Sequence, residues 1–266
     1  MRAQIQRGSW RHALGVQADV VGALLMREIH TRYGRDNLGY IWMFLEPALL
    51  TAAVIGIHTA GHSYDAGGVE PVPFVIIGYT TFILFRTIFT RADRVLEANA
   101  PLLYHRQVSL FDMVFARALL ELGSILFVLA VLLAVAIVAG FAEPPVRPLA
   151  MLAGIALLWL WSLGLAMLIA AATVENRIVE KFVHPIGYIL LPLSGAFYMV
   201  DWIPGAYREA VAWFPMTQMF ELIRYGHFRD APDTYVQPVY LMFAVGAVIL
   251  AGLAALRAVR PKIQLA

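Results

Sequence analysis

Leu122–Phe141 reads LGSILFVLAVLLAVAIVAGF, twenty residues without one charge. As an α-helix such a run rises roughly 30 Å, which matches the hydrocarbon thickness of a bilayer. Leu149–Val174 is also uncharged and rich in Leu and Ala. Working outward, four further apolar runs stand on either side. Leu38–Ala60 is broken only by Glu46 and Pro47, and Val72–Phe89 carries Arg86 near its end. Phe182–Val200 is interrupted by Pro185 and Pro192, and Val239–Leu256 closes the series. Six spans of an all-α integral membrane protein are therefore expected. Buried core helices of a soluble domain are the poor alternative, because several uncharged runs reach spanning length.

Composition agrees. Hydrophobic residues make up 61% of the 266 residues and charged ones 14%, against roughly 45–50% and 25% in ordinary soluble domains. The mean hydropathy is +0.71. There is no cysteine, which excludes disulfides and thiol catalysis. The basic N-terminal stretch lacks a long apolar core followed by a cleavage site, so no cleavable signal is expected.

Lys and Arg set the orientation, since they favour the cytoplasmic side of short loops. Fifteen fall in the N-terminal stretch to Arg35, in 86–106, in 175–181 and in the tail, against four at Arg147, Arg208, Arg224 and Arg229. Both termini are thus expected in the cytoplasm. The expected organisation is a cytoplasmic N-terminal segment (1–36), a six-span domain (37–257) and a cytoplasmic tail (258–266). Val16–Ile29, with apolar Val16, Val20, Leu24 and Leu25, reads as an amphipathic helix on the membrane surface; a helix packed on a protein partner is the plainer reading. Residues 201–234 form the longest outer segment and are unusually aromatic. Pro204 and Pro215 divide it into two short helices, each with the proline near its start, which suggests re-entrant structure.

Chemical motifs are sparse. The two lysines, Lys181 and Lys262, lie outside any glycine-rich phosphate cradle, so this chain is not expected to bind ATP. His58 and His62 stand at i,i+4 with Asp65 and Glu70 nearby, but ordinary loop histidines account for them and no metal is expected. No persuasive Ser–His–Asp spacing occurs. Glu46 is the one carboxylate well inside a candidate span. Ion-driven transport is thus weakly supported, and the energy for transport must come from a partner.

Three stretches carry a resemblance. They are MREIHTRYGRDNLGYIWMFLEPALL (Met26–Leu50), NAPLLYHRQVSLFDMVFARALLE (Asn99–Glu121), and LPLSGAFYMVDWIP with FPMTQMFELIRYGHF (within Leu191–Phe228). With these the chain resembles the membrane subunit of ABC-2 class exporters, and within that class the capsular polysaccharide export permeases of Gram-negative bacteria. The resemblance implies the ABC-2 exporter transmembrane fold in the inner membrane. It implies a homodimer around one path, two separate ATPase subunits that bind ATP and Mg, a periplasmic adaptor and an outer-membrane channel. The cargo implied is an acidic, lipid-linked polysaccharide; nucleic acid is not expected.

Roles follow as expectations. Arg32, Tyr33, Arg35, Tyr40, Trp42 and Phe44 offer arginines for acidic groups and rings for sugars at the cytoplasmic entry. Inner anchoring and the interfacial aromatic belt account for the same residues equally well. Glu46 either pairs with Arg86 or lines the path, and Tyr79 and Phe82 are wall candidates, with core packing as the alternative. In the 86–106 loop, Glu97, Asn99, Leu103, Tyr104, His105 and Arg106 are expected to meet the ATPase. Phe197, Tyr198, Asp201 and Trp202 are expected at an outer gate. Glu221 and Arg224, at i,i+3, are expected to pair with each other or with a dimer mate. Rival readings are an O-antigen or teichoic-acid polymer exporter, a membrane-embedded lipid- or glycan-modifying enzyme, and a scaffold subunit.

Overall fold

The computed structural model describes residues 10–33, 69–98 and 108–263, with positions 45, 48–49, 51–53 and 56 between them. The described chain is helical throughout its regular elements. Helix α1 covers Trp10–Tyr33, α2 Pro71–Thr90 and α3 Val95–Ala98. Helix α4 covers Leu110–Val138, α5 Pro148–Glu175 and α6 Ile178–Leu193. Helix α7 covers Gly205–Ala212, α8 Pro215–His227 and α9 Pro238–Ile263.

Four of these, α2 with its 3-10 extension to Arg94, α4, α5 and α9, are long and apolar enough to cross a membrane. They overlap the sequence-derived second, third, fourth and sixth spans; α2 and α5 agree to one residue at each end, whereas α4 begins at Leu110 instead of Leu122 and α9 runs on to Ile263 instead of ending at Leu256. The first candidate span, Leu38–Ala60, falls almost wholly outside the described residues. The fifth differs in register: the sequence suggests Phe182–Val200, whereas the helix runs Ile178–Leu193. Its end has a physical cause. Pro192 donates no hydrogen bond to the preceding turn, and Gly195, at φ 84°, supplies the left-handed residue that closes a helix. At 16 residues, α6 is only about 24 Å long.

Helix α4 starts on a reciprocal cap. The Ser109 hydroxyl accepts from the Asp112 amide at 3.2 Å, and Asp112 Oδ2 accepts from the Ser109 amide at 2.8 Å. The other Asp112 oxygen accepts from Gln17 Nε2, which ties α1 to the same corner. Glu28 and Arg117 pair across α1 and α4 at 3.3 Å. Val21 and Leu24 are buried against Ala116, while Leu14 and Met26 are exposed. The innermost apolar face of α1 therefore lies on α4 of the same chain.

Helices α5 and α9 approach through small residues. A Cβ on Gly164 would stand 2.7 Å from Val248 Cγ1, and one on Gly252 would stand 2.8 Å from the Gly164 carbonyl oxygen. Glycine lets two membrane helices bring their backbones this close. Outward, α4 exposes Phe127, Val131 and Val135, and α9 exposes Met242, Phe243 and Leu250. Such surfaces belong in hydrocarbon.

Candidate functional site

The best-built polar constellation lies beyond the end of α6. Arg224, on α8, has no exposed surface. Its Nη1 donates to the Tyr198 carbonyl at 2.5 Å, and its Nη2 donates to the carbonyls of Gly195 and Ala196, the latter at 2.8 Å. The Phe74 ring of α2 lies under the guanidinium, 4.3 Å from its centroid. Glu221, one turn back, accepts from Arg224 at 3.4 Å and from the Val200 amide at 3.2 Å. One side chain thus collects three carbonyls of the non-helical stretch that follows α6.

Both charges are shaped by burial. Loss of water raises the Glu221 pKa, opposed chiefly by the adjacent Arg224 cation. Loss of water pulls Arg224 down to about 10, so it stays protonated at neutral pH. Nothing here is a nucleophile or a poised base. The cluster is a clamp on the 195–200 backbone.

The clamp is seated by a close approach and bordered by rings. A Cβ on Gly78 of α2 would stand only 2.0 Å from the Ala196 carbonyl oxygen. Tyr79 stacks on Phe197 with centroids 5.9 Å apart, and Phe74 packs on Trp202 at 5.0 Å. Thr217 and Tyr198 hydroxyls both donate to the Leu193 carbonyl, at 3.2 and 3.1 Å. At the C-terminal end of α8, Arg147 donates to the Tyr225 and Phe228 carbonyls and covers the Tyr225 ring at 4.2 Å. A cation at a helix C-terminus is favoured by the helix dipole.

The structure brings Phe197, Tyr198, Trp202, Glu221 and Arg224 together. Asp201 sits at their edge, exposed, accepting from the Tyr235 hydroxyl at 2.9 Å. The intrahelical alternative for Glu221 and Arg224 is the one observed. For Phe82 the core-packing alternative is the one observed. Phe82 is 1% exposed and packs on Phe85, so it presents no surface to a polymer; one turn away, Tyr79 is half-buried. Arg86 also finds a partner that its sequence position does not name. It stacks over Tyr188 of α6, with its guanidinium carbon 4.2 Å from the ring centroid, and donates to the Tyr188 hydroxyl at 2.6 Å.

Arg32 and Tyr33 end α1 and Glu97 lies in α3, but their side chains fall outside the described residues. So do Arg35, Tyr40, Trp42, Phe44, Glu46, Asn99, Leu103, Tyr104, His105 and Arg106, as well as His58 and His62. Sequence reasoning missed Phe74, Gly78, Arg147 and Tyr188. A glycine within an apolar run and a lone arginine before Pro148 were the available signals. Just before the coupling stretch, the 3-10 turn Ala92–Arg94 buries Asp93, whose Oδ2 lies 3.9 Å from His184 Nε2 on α6. Among the described residues no three His, Asp or Glu side chains converge as a metal site.

The profile of ABC-2 type transporters matches residues 19–228, which include α2 to α8 and the clamp. The chain belongs to the ABC-2 type transporter family. As an ABC-2 protein it stands among transport permeases rather than enzymes. It is 32% identical over 251 residues to the capsule polysaccharide export inner-membrane protein CtrC of Neisseria meningitidis serogroup A, covering 94% of this chain and 95% of that protein. It is 32% identical to the capsule polysaccharide export inner-membrane protein BexB of Haemophilus influenzae, over 92% of each chain. It is 28% identical to the polysialic acid transport protein KpsM of Escherichia coli, over 80% of this chain and 83% of that one. With its long apolar helices, this ABC-2 chain is a multi-pass inner-membrane protein.

Proposed function

We propose that the chain is the permease subunit of an ATP-driven exporter that carries capsular polysaccharide across the inner membrane. The observation that carries this reading is the nearly full-length similarity to capsule polysaccharide export inner-membrane proteins. In this reading the working unit is a homodimer with two ATPase subunits, which bind ATP and Mg. Each protomer has six spans, cytoplasmic termini and a re-entrant outer segment. α1 rests on the inner surface, and the part of the 86–106 stretch beyond Arg94 meets the ATPase. A periplasmic adaptor and an outer-membrane channel take the polymer onward. The cargo is an acidic polysaccharide on a lipid terminus.

Roles are divided along the path. Arg32, Tyr33, Arg35, Tyr40, Trp42, Phe44 and Glu46 act at the entry, Tyr79 at the wall, and Glu97, Asn99 and Leu103–Arg106 at the ATPase contact. Phe197, Tyr198, Asp201 and Trp202 form the outer gate. Glu221 and Arg224 serve that gate by holding its backbone rather than by touching polymer, because both are buried. The test is reconstitution of the chain with its ATPase in vesicles. ATP-dependent movement of lipid-linked capsule glycan supports the reading. Failure of the chain to bind any ATPase, or transport of no glycan, overturns it.

A further inference from the structure

The sequence sets Arg86 at the start of the 86–106 loop, but α2 continues past it to Thr90 and its 3-10 extension to Arg94, so Arg86 is a charge inside a helix long and apolar enough to cross a membrane. It lies fifteen residues after Pro71, roughly 22 Å along α2, and eight before Arg94, roughly 12 Å from the inner end. A cation at such a depth is costly in hydrocarbon and marks a cavity, a partner or a path. Among the described residues Arg86 meets no carboxylate; its contact is Tyr188. That contact occupies one face of the guanidinium and one of its five N–H donors. Among the described residues nothing else occupies the planar fork, and Arg86 is partly exposed while Tyr188 is 58% exposed.

The surroundings narrow the occupant. Phe182, Ile186 and Ile189 leave the same stretch of α6 uncovered by the protomer. The Tyr188 ring holds the guanidinium in place by a cation–π contact while leaving the edge of the fork free. A fixed, forked donor set matches a carboxylate or a phosphodiester, both of which accept two parallel N–H bonds. Seven residues earlier on α2, two helical turns outward, Tyr79 and Phe197 offer stacked rings. An anion contact followed by a ring contact suits a chain of acidic sugars passing from the inside outward.

We propose that Arg86, held by Tyr188, is a contact in the inner half of α2 for the acidic groups of the exported polymer. The inference rests on the export function above and deepens it by naming where charge is read. A single cation with one partly shared face binds one acidic group at a time, so the polymer is contacted without being locked.

The test uses the permease–ATPase complex in nanodiscs of zwitterionic lipid. The probes are oligomers of sialic acid, an oligomeric glycerol phosphate and a neutral dextran oligomer. Arg86→Gln is expected to raise the half-saturating concentration of the acidic probes tenfold or more and to leave that of dextran unchanged. Arg86→Lys should recover part of the loss, since the charge returns without the fork. Tyr188→Phe should stay near the parent, and Tyr188→Leu should weaken acidic probes several-fold. An unchanged Arg86→Gln, equal losses for dextran, or a parent that prefers neither acidic probe overturns the contact while leaving the export reading intact. A parent complex that no glycan binds overturns the export reading itself. Acidic lipid in the nanodisc that abolishes the Arg86→Gln difference assigns the fork to headgroups and overturns the proposal. If Arg86→Gln does not fold, a photo-cross-linking residue at exposed Ile189, beside Tyr188, decides: labelling by sialic acid oligomers sustains the contact, and its absence overturns it.

Discussion

At the scale of single residues, the side chains that matter most are those with no surface. Arg224 satisfies three carbonyls and a carboxylate at once. Removing one partner of such a buried set costs about 3–5 kcal/mol. Arg224→Met is therefore expected to lower the steady-state level of folded protein sharply, and Arg224→Lys to rescue it little, because an ammonium cannot span the same carbonyls. Fluorescence-detected size-exclusion of the two variants gives the answer; a parent-like profile for Lys would show that charge alone suffices. Gly78 makes a narrower case. Gly78→Ala must displace the Ala196 carbonyl, whereas Gly246→Ala meets open space and serves as its control in thermal melts. His227 supplies a pH dependence. Burial lowers its pKa to about 4 from 6.5, so the fold holds it neutral and the unfolded chain protonates it more readily. Its contribution is full above about pH 6.5 and is lost as pH falls toward 4. His227→Gln should flatten the loss of melting temperature across that window; an identical slope in parent and variant would remove His227 from the account.

At the scale of elements, two junctions deserve testing. The α5–α9 seam depends on Gly164 and Gly252. Gly252→Val is expected to open it and lower the melting temperature by several degrees, since overpacking costs about 1–3 kcal/mol. The Ala92–Arg94 turn stands between α2 and the proposed ATPase contact, with Asp93 facing His184 of α6. Asp93→Leu should leave the ATPase bound yet reduce the glycan moved per ATP hydrolysed; an unchanged ratio would detach this turn from coupling. The long helices were legible in the sequence because an uncharged run of spanning length has few soluble uses. The end of α6 was not, since the residues after Pro192 stay apolar and hydropathy carries no mark of where a backbone turns. The aromatics around the clamp were legible as a group, through Trp202, Phe197 and Tyr198. Their organiser was only half legible. The spacing of Glu221 and Arg224 gave the pair, but no local pattern could indicate three carbonyls more than twenty residues upstream. Phe82 shows the same limit, because neighbouring rings on one helix face opposite fates and only packing separates them.

At the scale of the whole molecule, orientation is the property most open to direct test. The chain contains no cysteine, so single cysteines can be introduced on a silent background. Glu143→Cys and Asp230→Cys, at exposed positions, are expected to react with an impermeant maleimide from the periplasmic side. Arg177→Cys and Lys262→Cys, also exposed, should react only after the inner membrane is opened. The reverse pattern would invert the reading drawn from the basic loops.

The Arg224 clamp also bears on how the protein is made. The carbonyls it serves precede it by 26 to 29 residues. During synthesis, α6 and the bend after it leave the ribosome well before their guanidinium does. Until then those carbonyls have only water, headgroups or the insertion machinery to satisfy them. The bend after α6 must stay open to late revision, and it is fixed only when α8 arrives. A chain halted between residues 214 and 224 would carry every long helix up to α6 and yet lack the one side chain that pins the bend after it. Quality control in the membrane would meet that species as an unsealed intermediate.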